Sequence, residues 1–181
     1  MKQYKAMILQ KVLLIDEQYV KEFSTVSENF EEKYINPCIV KSQVEDLQAL
    51  IGTPLSVKLC ELVDDETIDD PENAAYADLL DGYVKPYLLA CTQSEILISN
   101  MAKIRNSGNM QYLDVNQTNI SIKDMQYLHQ HYADSATFLG NRLTEWLKCH
   151  LKDFPEYSKH CGCCNGMQPD PKSSINIGLV L

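Results

Sequence analysis

Residues 36–59, NPCIVKSQVEDLQALIGTPLSVKL, decide how the chain folds. Asn36 is a helix-capping residue, and Pro37 suits a first helical position. Ile39, Val40, Val44, Leu47, Leu50 and Ile51 then recur at three- and four-residue spacing, the period of one helix face. Gly52 closes that run, because glycine takes the strained backbone of a helix end without a Cβ clash. Thr53-Pro54 restarts a helix at once by the same cap-plus-proline logic, carrying Leu55, Leu59 and Leu62. Residues 36–63 therefore read as two helices joined at a tight glycine corner.

Working outward, residues 73–103 are helical again, with Asn73 as cap. Gly82 and Pro86 are expected to split them into a short and a long helix. The long one carries Leu88, Cys91, Glu95, Ile98 and Met101 on one stripe, and Glu95 is expected to pair with a base such as Lys103 or Arg105. From Ser121 a near capping box, S-x-x-D, opens the strongest element. Met125, Leu128, Tyr132, Ala136, Leu139, Leu143 and Trp146 give an amphipathic helix of about eight turns. Phe154-Pro155 stops it. Between the helices, DDETIDDPE (64–72) reads as a solvated loop, since it lacks the alternating ligands and glycine bend of a cation loop. Residues 104–120 lack helical period, and SGN marks a turn, so a short strand or hairpin is expected. Weak helical signals run from Asp16 to Phe23.

The expected fold is mainly α: a bundle of about four to five helices with a short β-hairpin or extended loop and extended terminal arms. Residues 1–15 form an N-terminal arm or edge strand, 16–157 the helical domain, and 158–181 an extended Cys- and Pro-containing tail.

The chain has 181 residues, 45% of them apolar and 23% charged, enough for one domain with a real core. A formal charge of −9 repels phosphate and argues against a sequence-reading DNA binder. No apolar run approaches the roughly 20 residues of a membrane span. Gln10 and Lys11 break up the N-terminal apolar stretch, so it does not read as a signal peptide. The seven cysteines are an odd number, and Cys38, Cys60, Cys91 and Cys149 sit inside helical patterns as small apolar residues. A reducing cytoplasm is the expected compartment.

No phosphate-binding glycine loop, nucleophile elbow or zinc-protease helix occurs. The histidines of HQHYAD (129–134) would point about 200° apart on a helix and so cannot share an ion. They are expected on a solvated face. No catalytic residue and no cofactor is assigned. In the tail, Cys161 and Cys164 form a C-x-x-C unit, with His160 and Cys163 beside them. A structural zinc site wants a second such pair about a dozen residues away, and none is present. Cys149 and His150 on the preceding helix would complete a set only if the chain doubled back. The tail thus reads as a hinge and docking arm ending in an apolar strip, Ile175, Ile177, Leu179, Val180 and Leu181, that binds a partner. The alternative is a small zinc-stabilised interaction module using His160, Cys161, Cys163 and Cys164.

YINPCIVKSQVEDLQALIGTPLSVKL (34–59) resembles the start of head–tail connector, or adaptor, proteins of tailed phages, where an early helix meets a second at a glycine corner. YADLLDGYVKPYLLACTQSEIL (76–97) resembles their next helical segment. The loop at 104–120, the helix at 121–152 and FPEY (154–157) follow in similar order. The likeness covers residues 16–157 and is strongest to connector-like proteins of phages infecting gut Bacteroidales, including the crAss-like phages. The resemblance implies a virion protein assembled in the host cytoplasm. It would form a homo-oligomeric ring, commonly twelve-fold, beneath the phage portal protein, and dock the adjacent neck ring or tail proteins. Genomic DNA would pass through without sequence-specific binding, and no membrane is involved.

Overall fold

The computed structural model describes residues 8–9, 11–101, 103–105, 108–110 and 122–158. The architecture is mainly helical, as the periodicity requires. Helix α1, Glu17–Phe23, starts where the Asp16 carboxylate accepts the Tyr19 N–H at 2.7 Å.

Helix α2 joins three segments end to end: Glu32–Lys41, a π-helical stretch Ser42–Leu47, and Gln48–Ile51. It begins a turn before the expected Asn36 cap, and Pro37 lies inside it. Asn36 spends its amide on Glu32 Oε1 at 3.1 Å instead.

The π stretch has a packing reason. Each α-helical residue advances about 100°, so an unbroken helix would carry Leu47, Leu50 and Ile51 away from the face of Ile35 and Ile39. The wide turn, closed by Gln48 N–H to the Gln43 carbonyl, adds one residue and brings them back. All five apolar side chains are buried, and Asp46 is turned to the flank.

Gly52, at φ 81°, makes the expected corner into α3, Thr53–Asp64, with Pro54 in its first turn. Helix α3 ends in a Schellman arrangement. Thr67 N–H reaches the Leu62 carbonyl at 3.0 Å, and Glu66 N–H reaches the Val63 carbonyl at 3.2 Å. Glu66 takes the left-handed position at φ 56°, where glycine is usual. Residues 64–66 and 69–72 are exposed, as expected of the acidic loop. Asn73 braces that loop by donating to the Thr67 carbonyl at 2.8 Å, and makes no side-chain cap.

Helix α4 runs through Ala74–Leu79, a second π stretch Leu80–Val84, and Lys85–Met101. The expected break at Gly82 and Pro86 is therefore absent. In a regular α-helix the Pro86 ring would meet the Gly82 carbonyl; the wide turn, closed by Lys85 N–H to the Leu80 carbonyl, gives it room. Strands β1, Lys103–Arg105, and β2, Gly108–Met110, then form the expected hairpin, with Lys103 opposite Met110. Helix α5, Ile122–Cys149, and the short α6, Pro155–Ser158, complete the described chain.

The long arm of α4 packs against both α2 and α5. Fully buried Ile35, Ile39, Leu47, Ile51, Leu55, Leu59, Leu79, Tyr87, Leu88, Leu143, Leu147 and Phe154 fill the centre. Each contributes about 1.5–3 kcal/mol of burial.

Two expectations are corrected here. The N-terminal segment is neither an extended arm nor an edge strand where it is described. It makes a helical turn, Val12 N–H to the Ile8 carbonyl at 2.9 Å, and buries Ile8, Leu9, Val12, Leu14 and Ile15 in the core. In α5 the buried stripe is His129, Ala133, Ala136, Gly140, Leu143 and Leu147, a step round from the expected one. Leu128, Tyr132, Leu139 and Trp146 are half-buried flanks. Gly140 centres the contact: a Cβ there would stand 3.1 Å from a ring carbon of Tyr87.

Candidate functional site

The residues expected to bind a partner, Ile175, Ile177, Leu179, Val180 and Leu181, lie outside the described residues, as do His160, Cys161, Cys163 and Cys164. Within the described residues no group of three or more His, Cys, Asp or Glu side chains is placed to hold a metal. No helix there is long and apolar enough to cross a membrane. Three arrangements remain that bear on function.

The first is a polar seam between α2 and α4. Cys38 Sγ lies 3.5 Å from Ser99 Oγ, and Lys41 Nζ 2.7 Å from Glu95 Oε2. Asp46 faces Cys91 next along the seam. Lys41 is thus a partner of Glu95, and the side chains of the expected Lys103 and Arg105 lie outside those described. Spacing along one helix could not have shown it, because the pair is formed across two. Burial, then the Glu95 and Glu45 carboxylates, push the Asp46 carboxyl up to about 6, against the pull of Lys41. Burial also raises the Cys91 thiol, which disfavours its thiolate form. The seam holds two helices in register.

The second is an aromatic column at the C-terminal end of α5. The Arg142 guanidinium sits 4.9 Å from the Tyr83 ring centre. Tyr83 stacks on Trp146 at 4.7 Å, and Trp146 on His150 at 4.2 Å. Phe154 lies 5.4 Å from Trp146 and meets Tyr76 edge-on at 5.1 Å. Tyr76 donates to Glu156 Oε2 at 2.9 Å; burial and that carboxylate push its phenol up to about 12. The column fastens the end of α5 and the turn into α6 against the π stretch of α4. Cys149 is exposed beside it, unlike the buried Cys38, Cys60 and Cys91, which fill core positions as expected.

The third is an open face on α5. Tyr127 is 73% exposed and Phe138 68%. They are eleven positions apart, which brings both to nearly one side of the helix, about 16 Å apart along its axis. His131 and Asp134 lie between them on the same side and are also exposed. His131 is thus solvated as expected, but His129 is buried on the opposite face. Exposed aromatic side chains of this size are enriched where proteins meet one another. A signal was present in the sequence: Tyr127 and Phe138 are the large apolar residues of this helix that fall off its apolar stripe.

This face, with its two aromatic anchors and polar surround, is the candidate interaction surface. It has the composition of a protein contact. No curated protein matches the chain, and no solved structure does. A family model described as "Family of unknown function (DUF6712)" matches residues 47–167.

Proposed function

The chain belongs to that family of unknown function, and from this premise we propose that it is a structural virion protein, a subunit of a head–tail connector ring. In this reading about twelve copies encircle the DNA channel beneath the portal, and the next neck ring or the tail docks on the far side. The single observation that carries a structural role is the open α5 face with Tyr127 and Phe138 standing out from a well-packed bundle. The likeness of residues 34–59 and 76–97 to connector proteins gives the assembly its identity. A charge of −9 suits a ring through which DNA must slide without adhering.

The test is a pair of surface substitutions, Tyr127→Ser and Phe138→Ser. Both side chains are mostly solvated, so the variant keeps its fold by circular dichroism and its thermal midpoint. It then fails to enter portal-containing complexes that the wild-type chain enters. Equal incorporation of variant and wild type would remove the α5 face from the account.

A further inference from the structure

The open face of α5 carries a pattern that complements itself. Tyr127, His131, Asp134 and Phe138 are spaced four, three and four positions apart, and all four are exposed. That is the alternation by which one helix seats along another. Along the helix the four residues run aromatic, base, acid, aromatic. Gln130 Nε2 donates to Asp134 Oδ1 at 2.8 Å, which orients that carboxylate. Its second oxygen has the capacity to accept a further hydrogen bond.

Reversing the direction turns this order into its own complement. A second copy of α5 laid antiparallel across the face, with a two-fold axis midway between positions 131 and 134, brings Tyr127 level with Phe138 of the second copy and His131 with Asp134. Each contact then occurs twice, as two-fold symmetry demands. Two aromatic pairs, about 16 Å apart along the axis, close the ends of the patch, and two imidazole–carboxylate contacts fill its middle. Asp124 falls opposite Asn141, so no like charges meet there. A parallel pair would instead set Asp134 against Asp134, at a like-charge cost. A shift of one turn in the antiparallel pair would put rings against the imidazole and carboxylate. Polar contacts at the centre of such a seam fix its direction and register.

We infer that two copies of this chain pair through their α5 faces, antiparallel, about a two-fold axis between His131 and Asp134. This pairing rests on the reading of that face as an interaction surface and names its occupant. A two-fold contact closes on itself, whereas neighbours in a ring meet head to tail through two different surfaces. The pair is thus not the ring contact. It covers the exposed rings of free subunits, and it must open before the same face can meet another protein. Four aromatic side chains make a small patch beside a standard interface, so the dimer is weak and exchanges readily.

The test uses the chain alone, kept reduced, in analytical sedimentation over a concentration series. Wild type is expected to pass from monomer to dimer in the micromolar range. Tyr127→Glu sets a carboxylate against the Phe138 ring, and Phe138→Lys sets an ammonium against the Tyr127 ring. Each alone should weaken dimerisation by at least about tenfold, with helix content unchanged because both side chains are exposed. An equimolar mixture of the two variants should recover dimers. One contact then becomes carboxylate against ammonium, and the other stays tyrosine against phenylalanine. A parallel pair would not recover, because the two substitutions would never meet. A wild-type chain that is monomeric up to about 0.5 mM, a variant that dimerises as wild type does, or a mixture that stays monomeric overturns the inference. Portal protein is left out, so each of those results leaves the connector reading to its own incorporation test, and a dimer that fails that test would keep the pair and remove the connector.

Discussion

Gln43 Nε2 donates to the Val12 carbonyl at 2.8 Å, across 31 residues of sequence. The same amide nitrogen reaches the Leu9 carbonyl at 2.9 Å, and Gln43 Oε1 accepts the Leu14 N–H at 3.0 Å. One fully buried side chain, placed by the π turn of α2, therefore satisfies three backbone groups of the N-terminal segment. Replacing it by Leu would strand those groups in the core. Unfolding by urea should show Gln43→Leu destabilised by about 3 kcal/mol, and limited proteolysis should cut the N-terminal segment first.

Asp46 makes stability depend on pH in the direction opposite to an ordinary paired carboxylate. Its carboxyl is raised from 3.8 to about 6 in the folded chain. The folded state thus holds a proton that the unfolded state has lost between those values. The associated stability is full below about pH 4 and is lost as pH rises through 6. The shift corresponds to at most about 3 kcal/mol, and partial solvation brings it to about 2. Asp46→Asn should therefore stabilise the protein by about that amount at pH 7.5 and by little at pH 4. Denaturation midpoints at the two values check it.

Glu66 occupies a left-handed position that glycine fills without strain. It is exposed, so no packing is lost on truncation. Glu66→Gly should raise stability by roughly 0.5–1 kcal/mol, visible as a higher thermal midpoint.

Gly140 lets α5 approach the buried Tyr87 ring. A larger side chain must push that ring into a filled core. Gly140→Val should cost about 2–3 kcal/mol, despite the better helix propensity of valine over glycine. A variant as stable as wild type would show that the two helices can part without loss.

Much of this fold was legible from side-chain periodicity and punctuation. The Gly52 corner, the hairpin and the long α5 follow from caps, breakers and a 3.6-residue repeat. What was not legible has a common physical source. Both π stretches keep an apolar face in line by adding a residue, which disguises itself in sequence as a small slip of phase. Pro37 and Gly82-Pro86 carry the strongest breaker signals, yet continuous helices absorb them. The core stripe of α5 sits a step from the expected one because its closest contact is made by Gly140, a residue that no hydrophobicity count favours. Gln43 is polar and unremarkable in a row of similar residues, and only the fold reveals its three backbone partners. On the candidate surface, Tyr127 and Phe138 were readable as aromatics lying off the apolar stripe. The expected docking strip at 175–181 lies outside the described residues.

The most direct measurement of the central proposal is the mass of the complex that the chain forms with a phage portal protein, by native mass spectrometry. The account predicts one discrete species holding a ring's worth of copies, about twelve, on each portal, with a closed annulus in electron micrographs. A chain that stays monomeric and apart from the portal at micromolar concentration would contradict it.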